Sequence, residues 1–284
     1  MTQVKATIHG AVSLVNAIAT GKGATLGIAA KVEAIVKASE GHGIQIEVDN
    51  RNFSSRLVNK VVEYTVPKKD LEKNKIEISL SSEIPTGYGL KSSSAISSVV
   101  SLACNKMFRS KFSDNQVLIP GVEASIATKV SITGAYDDAC ACYFGGTVVT
   151  DNYNRRIIKI QKTPTNILAV VFVPKSRKRG NVKNLRNLKE LFEKAWNLAK
   201  DGDYWNAMVL NGLVTSAILN SDPKIISNLI ENGALGASVS GNGPAIAAIV
   251  KKDKVSNIKK VFADLEGRTF VSEINNKKAE AHEL

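Results

Sequence analysis

The stretch Pro85-Thr86-Gly87-Tyr88-Gly89-Leu90-Lys91-Ser92-Ser93-Ser94-Ala95 constrains this chain more than any other part of it. Before it, Ile76, Ile78 and Leu80 alternate as in a strand. After it, an apolar pattern runs on to Met107 as in a buried helix. A strand must therefore pass into a helix across two glycines. Gly87 and Gly89 allow the backbone to approach a ligand closely, and the serines fall where the helix opens. A helix start offers unpaired N–H groups and a partial positive charge, which suit a phosphate. The hydroxyls can hold magnesium or simply cap the helix, which needs no ligand. Neither common nucleotide loop is present. No Gly-Lys-Ser/Thr follows the glycines, and the third glycine of a dinucleotide fingerprint is missing.

Bulk properties bound the answer. The 284 residues, 44% of them hydrophobic, can hold one large domain or two ordinary ones. No apolar run reaches the ~20 residues that span a bilayer, and residues 2–19 alternate like a strand rather than a signal peptide. The expectation is a cytoplasmic protein that does not enter a membrane. Cys104, Cys140 and Cys142 lack zinc spacing and read as small buried hydrophobes. The net charge of +12 raises nucleic acid as a partner. Against that, the lysines are scattered, only 175–179 is densely basic, and aromatic residues are just 6%, with no stacking platform. A positive field equally suits ATP and a small carboxylate.

The elements read as α+β. Strands are expected at 4–8, 12–18, 26–32, 44–48 and 76–80, with a helix at 57–66. Two short helices, 114–119 and 122–130, follow the helix after the glycine loop, and Gly145-Gly146 then turns the chain into strands at 147–150 and 157–160. The segment 161–166 carries no apolar pattern and divides the chain into domains 1–163 and 164–284. Beyond it come a strand at 167–173, helices at 185–199, 204–219 and 224–231, and a Gly-rich turn. The chain then reads as strand 245–250, helix 255–265 and strand 269–274. Residues 277–284 read as a polar tail that frays.

Two further segments carry chemistry. In Thr133-Gly134-Ala135-Tyr136-Asp137-Asp138-Ala139, adjacent carboxylates stand among small apolar residues. That is costly unless a metal ion, a lysine or a substrate hydroxyl compensates; two acids at a helix start, favoured by its dipole, are the plainer reading. Ser240-Gly241-Asn242-Gly243-Pro244 makes a tight, open-backbone loop before an apolar strand.

In this order the segments resemble the three motifs of the GHMP kinases. Pro85, Gly87, Gly89, Leu90, Ser92 and Ser93 match the second motif, with Ser94 where the family usually has alanine. The resemblance implies that Pro85, Gly87, Tyr88, Gly89, Leu90, Lys91, Ser92, Ser93, Ser94 and Ala95 form the ATP loop. It also implies that Ser93 and Glu123 hold Mg2+. Lys5-Ala6-Thr7-Ile8-His9-Gly10 resembles the mevalonate-kinase form of the first motif, which would set Lys5 beside the catalytic carboxylate. Counting from Gly134 makes Asp137 the base, the first choice here, whereas counting back from Gly145-Gly146 makes it Asp138. Residues 15–24, 90–95 and 133–139 look like the archaeal shikimate kinases. The implied reaction moves the γ-phosphoryl of ATP to the 3-hydroxyl of shikimate, in the chorismate pathway. The substrate would meet Ser240, Gly241, Asn242 and Gly243, with Asn16, Lys22, Arg177 and Arg179 as candidates for its carboxylate. Homoserine kinase is the runner-up, and an RNA-binding protein the non-enzyme alternative. The implied fold is a ribosomal-S5-domain-2-like half followed by a ferredoxin-like half, with ATP between them.

Overall fold

The computed structural model describes residues 2–48 and 53–284. Its first sheet is built around two long antiparallel strands, β1 (Thr2–Val15) and β2 (Lys22–Glu40). β1 is one strand where the sequence pattern suggested two, because a bulge between His9 and Ala11 lets the pairing continue past Gly10. The long β2 pairs on its other side with two partners in succession. β3 (Ile44–Val48) lies parallel to β4 (Asn74–Ser82), which pairs with the far half of β2, and β5 (Thr147–Asp151) pairs with its near half. β6 (Arg156–Gln161) closes that edge as a hairpin with β5.

Four helices accompany this sheet besides the short α2 (Lys68–Leu71). They are α1 (Ser55–Thr65), α3 (Ser92–Phe108), α4 (Asp114–Ala127) and α5 (Tyr136–Phe144). α3 is buried on almost every side, packed between β1, β2 and the other three helices, which explains its nearly uninterrupted small and apolar sequence. The expected helices at 114–119 and 122–130 are the single α4, which runs through Pro120. A proline orphans the carbonyl four residues earlier, here that of Gln116. Asn105 Nδ2 donates to it at 2.8 Å and Ser101 Oγ at 3.3 Å, so α3 repairs the break in α4.

The chain crosses at 162–166 into a second sheet of β7 (Ile167–Pro174), β8 (Ala234–Val239), β9 (Ile246–Lys251) and β10 (Gly267–Glu273). Its spatial order β10-β7-β9-β8 is wholly antiparallel. A 3-10 segment (Val182–Leu188), α6 (Lys189–Asp201), α7 (Tyr204–Ile218) and α8 (Pro223–Glu231) join β7 to β8, and α9 (Val255–Ala263) joins β9 to β10. This βαββαβ connectivity is the ferredoxin-like half. Its own core includes Phe172 stacked on Phe262 with ring centres 5.1 Å apart.

Two expectations need correction. The Gly-rich turn before β9 is confined to 240–244, and the residues before it form the strand β8. The polar end of the chain does not fray: β11 (Glu280–Glu283) pairs antiparallel with β1, Val4 facing Glu283 and Thr7 facing Glu280. The last strand therefore belongs to the first sheet, although it lies beyond 164. It has no apolar pattern because backbone pairing at a sheet edge is enough to hold it.

Candidate active site

A cleft of about 220 Å³ opens where the two halves meet. β1 brings Ser13 there near its end, and Asn16 follows the strand. The glycine loop and the start of α3 supply Gly87, Gly89, Lys91, Ser92, Ser93 and Ser94. The turn into α5 supplies Thr133, Asp137 and Asp138, and the second half adds Arg179, Gly241 and Asn242. Both helices point their N-termini into it, and neither has a capping side chain. Lys91 and Ala135, the residues before α3 and α5, adopt left-handed backbone (φ +66° and +52°), a conformation that costs a non-glycine residue of order 1 kcal/mol or more. The unpaired N–H groups of α3 thus face open space beside three serines, the arrangement that suits a phosphate.

The two halves interlock across the glycine loop. Ser240 Oγ donates to Gly89 O at 2.9 Å, and Ala245 N donates to Tyr88 O at 3.1 Å. A Cβ on Gly89 would stand 1.9 Å from Ser240 O, and its φ is +83°, so this position requires glycine on both counts. Asn16 ties the same parts together: its Nδ2 donates to Gly241 O at 2.7 Å, and its backbone N donates to Asn211 Oδ1 at 2.9 Å.

The carboxylates differ in their surroundings. Asp137 is 3% exposed, and both of its oxygens are engaged: Asn152 Nδ2 donates to Oδ1 at 2.7 Å, and Thr25 Oγ lies 3.1 Å from Oδ2. Asn152 Oδ1 in turn accepts from the Asp137 N–H at 3.0 Å. Asp138 is partly open to the cleft. Its Oδ1 meets Lys91 Nζ at 2.8 Å and Thr25 Oγ at 3.3 Å, and no described group bonds Oδ2. Burial first, and the Asp137 carboxylate second, push the Asp138 carboxyl up to about 7, while Lys91 opposes both. Lys91 Nζ also donates to Ser13 Oγ at 2.6 Å. Ser13 and Thr25 face each other in the β1–β2 register, so their hydroxyls share one face of the sheet.

Several sequence-predicted residues meet here and several do not. Asn16, Arg179, Gly241 and Asn242 line the cleft; Arg179 donates to Asn242 O at 3.2 Å and Gly243 O at 3.1 Å. Ser240 and Gly243 shape the loop. Leu90 and Ala95 are core residues that anchor it. Pro85 and Tyr88 face a separate hollow on the other side of the loop, where Arg177 lies over the Tyr88 ring at 5.1 Å. Lys22 is paired with Glu193 and lies over Trp196, outside the cleft. Lys5 is corrected outright: it bonds Glu33 at 2.9 Å, and eight strand residues put it about 26 Å from Ser13. The lysine beside the carboxylates is Lys91. Glu123 is paired with Arg155 and does not line the cleft. Ser93 does, half-exposed at the start of α3.

Reading the sequence missed Ser13, Thr25 and Asn152. The first two did leave a signal, as single hydroxyls inside otherwise apolar strand segments (Val12, Leu14; Ala24, Leu26). Asn152 follows β5 in an ordinary polar turn and left none.

Residues 56–146 match the family model described as GHMP kinases N terminal domain, and residues 183–265 match GHMP kinases C terminal. The chain belongs to the GHMP kinases. It is 37% identical to a shikimate kinase of Methanosarcina mazei, over 94% of this chain and 92% of that protein. It is 35% identical to a shikimate kinase of Methanosarcina acetivorans, over 95% and 93%. Among solved structures, homoserine kinase from Cytophaga hutchinsonii superposes with a TM-score of 0.76 at 20% identity, covering 99% of this chain and 97% of that one. That likeness is one of fold. Membership of a kinase family makes the chain an enzyme, the class set against the non-enzyme alternative.

Proposed function

We propose that this GHMP kinase transfers the γ-phosphoryl of ATP to the 3-hydroxyl of shikimate. The observation that carries the reading is the opposition, across one cleft, of an uncapped helix start and a carboxylate with one oxygen unengaged. The shikimate kinases of the two Methanosarcina species support the choice of alcohol.

In this reading the N–H groups and serines at the start of α3 bind the ATP phosphates. Asp138 Oδ2 accepts the proton of the acceptor hydroxyl as its oxygen bonds the γ-phosphorus and the bond to the departing ADP oxygen breaks. Asp137 is the weaker candidate for base, because Asn152 and Thr25 already occupy its oxygens. Among the described residues, Lys91 and Arg179 are the cations lining the cleft, and Lys91 already has a carboxylate partner. Arg179 is therefore assigned to the shikimate carboxylate, with Asn16 setting the floor of the pocket.

The donor set fits magnesium carried on the phosphates rather than caged by protein. Among the described residues no cluster of three or more acidic, His or Cys side chains could hold a metal. Ser93 is the residue placed to touch such an ion, and Glu123 would first have to leave Arg155. Bound there, Mg2+ would neutralise charge on the transferring group. A cytoplasmic setting is part of the proposal, in keeping with three buried free cysteines. Among the described residues no helix is long and apolar enough to cross a membrane. The test is ADP release with ATP and magnesium on shikimate, homoserine and mevalonate in parallel. Turnover on shikimate alone is expected; turnover only on another alcohol would overturn the substrate assignment and keep the family.

A further inference from the structure

Lys91 combines two costs that an ordinary loop lysine avoids. Its backbone is left-handed, at φ +66°, and its side chain, only 4% exposed, takes an ammonium group out of water. Strain and a buried charge at one residue point to a role in the site it lines. The ammonium ends between two partners, Ser13 Oγ at 2.6 Å and Asp138 Oδ1 at 2.8 Å. Ser13 Oγ is itself fixed from the other half of the molecule, since Gly241 N donates to it at 3.0 Å. The lysine is thus held by the first sheet and, through Ser13, by the loop after β8.

The charges around Asp138 show what it does there. Asp137 precedes it on the turn into α5 and repels its ionised form. Cys140 and Cys142, on the next turn of α5, have thiols that burial pushes well up, so they stay neutral. From β2 comes only the neutral Thr25 hydroxyl. From the start of α3 comes Lys91, which among the described residues is the one cation in contact with either carboxylate. Two adjacent buried carboxylates with no cation would keep a proton between them.

We propose that Lys91 is the positioning residue of this site: its ammonium, anchored by Ser13, favours the ionised form of Asp138, with Oδ1 engaged and Oδ2 turned toward the acceptor hydroxyl. This rests on the reading of Asp138 as base. It differs from an ATP-binding role for the same lysine, because the side chain is spent on Asp138 and Ser13.

The test uses the full-length protein and Lys91→Met, Lys91→Arg and Ser13→Ala, each first checked for an unchanged near-UV spectrum. Aspartate carboxyl carbons are followed by NMR through a pH titration without any substrate, Asp138 being assigned by Asp138→Asn. In Lys91→Met the Asp138 midpoint should rise by about one unit or more, and Lys91→Arg should restore most of it. With ATP and shikimate, Lys91→Met should lose about 100-fold in kcat, with KM for both substrates changed by less than about three-fold. Ser13→Ala should lie between wild type and Lys91→Met. An unmoved Asp138 midpoint, or a loss confined to KM for ATP, would overturn the proposal. A wild type inactive on shikimate would refute the substrate reading, while the titration would still decide the role of Lys91.

Discussion

Gly23 offers a sharp test of how tightly the carboxylate pair is built. It stands two residues before Thr25 on β2, so both face the same side. A Cβ at Gly23 would lie 2.3 Å from Asp137 Oδ2 and 2.6 Å from its Cγ, where ordinary contact begins near 3.4 Å. In Gly23→Ala the carboxylate must retreat by about 1 Å, a misplacement that elsewhere costs about 100-fold in rate. The side chain has nowhere easy to go. Asn152 holds Oδ1 at 2.7 Å, and the residue begins a buried helix. Moving it strands the Asn152 amide and the Thr25 hydroxyl, a loss of about 1–3 kcal/mol. Steady-state ADP release on shikimate and urea denaturation measure the two effects separately. The expected result is a kcat lower by about 100-fold together with a lowered urea midpoint. A Gly23→Ala protein within about three-fold of wild type and equally stable would show that Asp137 is neither held nor needed where the structure puts it.

Three further outcomes follow from the same geometry. Asp138→Asn should lower kcat by about 1,000-fold or more with ATP binding retained by calorimetry, whereas Asp137→Asn, whose amide can still bond Asn152 and Thr25, should lose far less; the reverse order would move the base to Asp137. Because Asp138 must be ionised to accept a proton and its carboxyl is raised to about 7, kcat/KM should rise with pH through that region. The same shift means the native state holds the proton longer than the unfolded chain, so between about pH 4 and pH 7 Asp138 makes folding less favourable as pH rises; a flat rate profile from pH 5 to 8 would contradict both statements. Arg179→Ala should raise KM for shikimate about 10-fold or more with kcat changed much less, the pattern of lost uniform binding; an unchanged KM would place the carboxylate elsewhere.

Much of this was legible in the sequence, for identifiable reasons. The strand, glycine loop and helix around Gly87 and Gly89 declare themselves because backbone geometry there admits few residues. The Asp137-Asp138 pair stands out because adjacent acids among Ala, Tyr and Cys demand a partner. The partner itself was misread. Lys5 and Lys91 are both lysines beside glycine-containing motifs, and only the fold shows that one lies far up β1 while the other is curled under α3. Glu123 failed for a similar reason, since nothing in a helix pattern reveals that Arg155 of a later hairpin will meet it. β11 was invisible because Glu280-Ala281-His282-Glu283 holds its place by main-chain pairing. The unbroken α4 was hidden by Pro120, whose cost is met by Asn105 and Ser101, residues on another helix.

On the proposed reading this cleft phosphorylates shikimate with Asp138 as the base. The decisive experiment is phosphorus NMR of the purified protein with ATP, magnesium and shikimate, with Asp138→Asn run alongside. A new phosphate-ester resonance is expected, assigned to the 3-position by its coupling to the ring proton, which grows as ADP appears and is lost in the variant. ADP with no ester, or an ester formed equally by Asp138→Asn, would contradict it.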